Sequence, residues 1–157
     1  AIEALLKLNV NYKLDVFGES DDEAYREFCI KLVHGKSSVV FHNAIQHDAL
    51  CEEYLSHDFF ILLTKNENFG HSIIESLSYG TPVIISDQTP WSDIEEFGAG
   101  IVLPLKSAKN EFVSRVSQLI AISDEDYLAI SKKAIEYVHT KINLNAIQEQ
   151  YLNLFRD

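Results

Sequence analysis

The feature that most constrains this chain is a short-period alternation of strand-length apolar runs with helical patterns. Tyr12–Phe17 reads as a strand ending at Gly18. Asp21–His34 follows with Ala24, Tyr25, Phe28, Leu32 and Val33 at helical spacing, and with Ser20 or Asp21 as its N-cap. Val39–Phe41 is a short strand, Asp48–Ser56 a helix, and Phe59–Leu63 an apolar run expected to be buried on both faces. A polar loop over Thr64–Phe69 leads into a helix from Gly70 or His71 to Tyr79. Gly80 is its left-handed cap, and Thr81-Pro82 turns the chain into a strand at Val83–Ile85. A helical turn at Ser92–Phe97 precedes the strand Ile101–Leu103. Helices are expected over 107–121, over 124–139 with Ser123 as N-cap, and over 143–155. Strands alternating with helices imply an α/β fold: a parallel sheet with helices on both faces. Ligands in such sheets sit beyond the carboxyl ends of the strands.

At 157 residues the chain holds one domain with a sizeable core. The net charge of −11 repels nucleic acid and anionic lipid at long range, so neither is expected as a general partner. The same field disfavours a diphosphate, which short-range donors would have to hold. No apolar run approaches the ~18 residues of a bilayer span, and no secretory signal is present. Cys29 and Cys51 lie inside helical patterns without metal-ligand spacing, and read as buried, reduced thiols of a cytoplasmic protein. Ala1 falls within an amphipathic helical pattern, so the chain is expected to be a piece of a longer polypeptide.

The chemistry concentrates in Thr64–Ile85. A strand ends at Leu63, a loop presents Glu67, and Gly70 turns the backbone into a helix. First-turn N–H groups of a helix have no internal partner and lie at the positive end of its dipole. Those at about Gly70–Ile73 would form an anion site suited to phosphate. Ile73, Ile74 and Leu77 share one face; Ser72, Glu75, Ser76 and Tyr79 share the other. Glu75, one turn in, cannot hold a phosphate, but it can accept hydrogen bonds from vicinal hydroxyls such as those of a ribose. Glu67 can reach hydroxyls on a group beyond the phosphates. The combination suits a nucleoside diphosphate sugar.

Glu67 and Glu75, with seven residues between them, resemble the paired-glutamate signature of retaining GT-B glycosyltransferases. The spacing alone is weak, since Glu19 and Glu27 repeat it. The context is stronger. Glu67-Asn68-Phe69-Gly70, Glu75-Ser76-Leu77 and Tyr79-Gly80-Thr81-Pro82-Val83-Ile84 are similar, in order, to that family's motif. Val16-Phe17-Gly18-Glu19-Ser20 resembles its strand-and-glycine loop, with Ser20 in place of a second glycine. Val40-Phe41-His42-Asn43 resembles its next strand, with Asn43 in place of glycine. Asp93-Ile94 and Gly100-Ile101-Val102 match its closing part.

The resemblance implies a Rossmann-like parallel sheet, the C-terminal half of a GT-B fold, with the acceptor-binding domain and a basic Arg and Lys pair lying upstream of Ala1. It implies Glu67 as the catalytic residue at the donor sugar and Glu75 at the ribose. Phe69, Gly70, His71, Ser72 and Gly18 would bind the donor. Asn43, Ala44 and Ile45 would lie by the base. The implied reaction is hexose transfer from a nucleoside diphosphate sugar, UDP-sugar before GDP-sugar, in bacterial envelope polysaccharide or glycolipid synthesis. No cofactor or metal is called for. Peripheral membrane association would come through the absent domain, and this chain alone would be inactive. Two alternatives remain: a nucleotide-sugar epimerase of related fold, which would act without acceptor, and a non-catalytic nucleotide-sugar-binding module. His42 and His47 read as loop residues, His34, His57 and His139 as structural or exposed, and Trp91 as a rim or packing residue.

Overall fold

The computed structural model describes residues 2–36, 38–106 and 109–142. The helix expected at 143–155 and the start of the one expected at 107–121 lie outside them. The elements run α1 (Ile2–Leu5), β1 (Leu14–Val16), α2 (Glu23–Leu32), β2 (Val39–Phe41), α3 (His47–Ser56) and β3 (Phe60–Leu62). They continue α4 (His71–Ser78), β4 (Val83–Ser86), α5 (Ile94–Phe97), β5 (Gly100–Leu103), α6 (Lys109–Ile120) and α7 (Asp124–Lys141). The alternating α/β architecture is as expected. All strand pairs are parallel, but among the described residues they form two sheets, β1-β2 and β3-β4-β5, instead of one.

Period-two side chains divide the core between the two faces. Val83 and Ile85 of β4, with Phe60 and Leu62 of β3, pack against Ile73, Ile74 and Leu77 of α4, Ile94 of α5 and Tyr137 of α7. Ile84, with Phe59 and Ile61, faces the opposite way, toward Leu5 near the end of α1 and Val116 and Leu119 of α6. Ile73 and Leu77 are wholly buried, worth about 1.5–3 kcal/mol each. That burial seats α4 firmly, and α4 carries the candidate site.

Four local expectations are corrected. Phe59–Leu63 is half-buried, and the strand buried throughout is β4. The reason is position: β4 lies between two strands, whereas β3 is the outer strand of its sheet. The cap of α2 is Asp22, not Ser20 or Asp21; its side chain accepts from Tyr25 N–H at 2.9 Å. Tyr25 and Phe28, placed on the apolar face of α2, are largely exposed, while Cys29 and Val33 are buried. Cys51 is only partly buried. Ser123 caps α7 as expected, accepting from Asp126 N–H. Gly80, just past α4, has the left-handed φ of +78°.

Candidate functional site

Helix α4 starts at a residue that only glycine fills comfortably. Gly70 has φ +80° and ψ +58°, and a Cβ there would lie 2.8 Å from Ile73 Cδ1. Its carbonyl accepts from the N–H groups of Ile73 and Ile74, closing the first turn. Its own N–H donates to Glu67 Oε1 at 3.0 Å. Glu67 thus folds back over the positive end of the helix, as both its charge and the orphan donors favour. The next donors in the turn, at His71 and Ser72, have no intrahelical partner. The structure therefore brings Glu67, Gly70, His71 and Ser72 together at the carboxyl end of β3.

The approach loop is held from outside. Trp91 Nε1–H donates to the Phe69 carbonyl, and the Phe69 ring meets Trp91 edge-on at 5.4 Å and His71 at 4.7 Å. Trp91 in turn packs on Tyr137 at 6.1 Å, whose hydroxyl donates to Asp93 at 2.5 Å. Burial first, and then the Asp93 carboxylate, raise the Tyr137 hydroxyl above its ordinary range, so it remains a donor. Lys141 pairs with the same Asp93. Trp91, read from sequence as a rim or packing residue, is the brace of the loop that carries Phe69.

Glu75 is half-buried one turn into α4 and accepts from Tyr54 O–H at 3.4 Å. Burial, and then the Glu75 charge, push the Tyr54 hydroxyl up to about 12. Tyr54 stacks on Tyr79 at 5.9 Å, and its carbonyl accepts from Thr81 Oγ1–H at 2.6 Å. Glu75 is thereby aimed by α3 as well as by its own helix. Ser76, assigned to the polar face, is instead fully buried and donates to the Thr81 carbonyl at 2.8 Å. That bond satisfies a hydroxyl that would otherwise be costly to bury.

Gly18, Asn43 and Ala44 are exposed on the loops that leave β1 and β2, and Ile45 is half-buried there. They lie at the carboxyl end of their own two-stranded sheet. Sequence reasoning missed what stands beside them. Asp15, with 2% of its side chain exposed, accepts from Lys13 at 2.9 Å, His42 at 2.6 Å and His57 at 3.1 Å. Burial alone would raise the Asp15 carboxyl; the three donors outweigh it and hold the group far below the usual carboxylate range. His42 also stacks on Phe17 at 4.6 Å. A lone acid within an apolar run was the available signal. Among the described residues no cluster of three or more His, Cys, Asp or Glu is arranged to hold a metal ion, and no helix is long and apolar enough to cross a membrane.

This arrangement of parallel strands, with a glycine-started helix at a strand end, is the C-terminal domain of the GT-B glycosyltransferase architecture. The chain superposes on WaaG, a glycosyltransferase involved in lipopolysaccharide biosynthesis, with TM-score 0.77 and 20% identity, over 98% of this chain and 41% of that one. It superposes on HepE from Anabaena in complex with UDP-glucose with TM-score 0.79 and 17% identity, over 98% and 43%. For the C-terminal domain of LpcC, a group 1 family glycosyl transferase from Francisella tularensis, the values are 0.74 and 20%, over 90% and 74%. At these identities the likeness is one of fold, and the chain spans about two fifths of the length of WaaG. No curated protein matches by sequence. Residues 1–137 match the model for glycosyl transferases group 1, and the chain belongs to that family.

Proposed function

We propose that this chain is the donor-binding half of a retaining glycosyltransferase that moves a hexose from a nucleoside diphosphate sugar, with a UDP-sugar favoured. The observation that carries the reading is the start of α4: N–H groups at His71 and Ser72 with no partner within the helix, one glutamate folded back onto Gly70 N–H and another one turn in. The donor's diphosphate would displace the Glu67 carboxylate from Gly70 N–H and take up the helix-start donors, freeing Glu67 to meet the sugar. Glu75, oriented by Tyr54, would accept from the ribose hydroxyls. Gly18 and the Asn43–Ile45 loop would border the base. Catalysis would then consist of holding the donor in place and stabilising charge on the leaving diphosphate. Family membership and the UDP-glucose bound by HepE support this reading. An acceptor domain on the same polypeptide, a role in envelope polysaccharide or glycolipid synthesis, and peripheral attachment to a membrane through that domain are parts of the same proposal.

The test separates the two glutamates in the complete polypeptide. Glu75→Ala should weaken UDP binding roughly ten- to a hundredfold by calorimetry, since charged hydrogen bonds are worth about 1.5–3 kcal/mol. Glu67→Gln should cut turnover far more than nucleotide affinity. If nucleotide affinity collapsed in Glu67→Gln while turnover at saturation survived, the two roles would be exchanged. Epimerised donor in the absence of acceptor would replace the transfer reading altogether.

A further inference from the structure

The loop that carries Glu67 is fastened by its carbonyls at both ends. At its start, the hydroxyl of Ser86, buried at the end of β4, donates to the Thr64 carbonyl at 2.6 Å. At its far end, Trp91 Nε1–H donates to the Phe69 carbonyl. Both fasteners come from β4 and the loop that follows it. That second loop is itself held, since Thr89 Oγ1–H donates to the Ser86 carbonyl at 3.3 Å and accepts from Trp91 N–H at 3.4 Å. The indole packs on the buried ring of Tyr137, so the core sets its position.

The carbonyl that Trp91 grips belongs to the same peptide unit as the Gly70 N–H. A trans peptide is planar, with its C=O and N–H pointing opposite ways, and no cis bond occurs among the described residues. Holding the oxygen toward Trp91 therefore aims the Gly70 N–H the other way, where it donates to Glu67 Oε1 at 3.0 Å. Both partners border Gly70: a Cβ on it would lie 3.3 Å from Trp91 Nε1 and 3.4 Å from Glu67 Cγ.

Glycine makes such a hold necessary. Half a turn of the Phe69–Gly70 peptide exchanges its N–H and C=O, at the expense of ψ at Phe69 and φ at Gly70. The Gly70 φ would pass from its present +80° to the negative side, which glycine populates as readily. The residue that the left-handed turn requires thus opens a second state, in which a carbonyl faces the anion position. A carbonyl there repels a phosphate that the N–H would bind.

We propose that Trp91 is a positioning residue for the donor diphosphate: its Nε1–H holds the Phe69–Gly70 peptide with the Gly70 N–H turned to the anion. The role rests on the reading of α4 as the donor site. Glu67 restrains the same N–H while the site is empty, but in that reading it gives way to the diphosphate. Trp91 is the restraint that persists in both states.

Trp91 is the chain's single tryptophan, so growth on a tryptophan analogue replaces it alone. In β-(3-benzothienyl)alanine a sulfur stands in place of Nε1–H and the ring keeps its shape; 4-fluorotryptophan retains the N–H. In a UDP titration followed by amide shifts, the sulfur analogue should raise the dissociation constant about three- to tenfold, the worth of one hydrogen bond. The fluoro analogue should leave it unchanged. No rise with the sulfur analogue, or an equal rise with both, would overturn the proposal. A second arm needs no nucleotide. In Glu67→Ala the bond from Trp91 is the remaining hydrogen bond to that peptide among the described residues. The Gly70 amide of that variant should show one state with 4-fluorotryptophan and two exchanging states with the sulfur analogue; one state in both would overturn the proposal. If UDP leaves Gly70–Ile73 unshifted in the unaltered chain, the donor reading fails, and the second arm still decides whether Trp91 orients the peptide.

Discussion

At Asp15 and Gly70, single side chains decide local stability. His57 carries a raised pKa: burial opposes its charge, but Asp15 and the Glu53 carbonyl favour it more strongly. The raised His57 contributes stability that is full below its unfolded value near 6.5 and lost as pH rises through the folded value. The depressed Asp15 contributes stability present above its unfolded value of about 3.8 and lost as pH falls. The cluster therefore stabilises most between about pH 4 and pH 6.5. Asp15→Asn should cost about 1–3 kcal/mol at pH 5.5 and flatten the decline toward pH 8.5, measured by urea unfolding at both. The same pH dependence in both proteins would show that the cluster is not its source. Gly70→Ala should cost about 1–3 kcal/mol by urea unfolding, through its left-handed φ and the contact with Ile73. Gly70 was legible because a glycine ahead of an apolar-periodic helix has a local meaning. Asp15 was not, since its two histidine partners lie 27 and 42 residues away.

Among elements, α4 and its loop behave as a braced unit. Trp91→Phe keeps most of the ring packing but removes the donor to the Phe69 carbonyl. It should destabilise the protein by about 1 kcal/mol and speed amide exchange over Phe69–Ser72 more than over β4. Uniform acceleration, or none, would count against Trp91 as the brace. The elements themselves were mostly readable. Helix α4 and strand β2 appear close to the positions that periodicity and turn residues set for them. Burial was less readable, because an apolar run does not say whether its strand will be central or outer. Phe59–Leu63 looks richer than Val83–Ser86, yet the latter is the one covered on both sides. The face of Ser76 was misjudged for a similar reason, since its partner is a turn carbonyl five residues on. The candidate site was legible where it is local, from Glu67 to Glu75, and illegible where Tyr54 and Trp91 reach it from other elements.

For the molecule as a whole, charge and donor site pull in opposite directions. A net charge of −11 opposes a diphosphate, and the candidate site counters it with backbone donors at the start of α4. Donor affinity of this chain by itself should therefore be no better than about millimolar, roughly −4 kcal/mol. That weakness still permits a direct test of the central claim, that α4 begins a nucleotide-sugar site. The measurement is a titration of the isotopically labelled chain with UDP, followed by amide chemical shifts. The account predicts millimolar, saturable shifts concentrated at Gly70–Ile73, extending to Glu75 and to the Asn43–Ile45 loop. Shifts confined to other surfaces, or amides of Gly70–Ile73 that stay still while UDP saturates elsewhere, would contradict it.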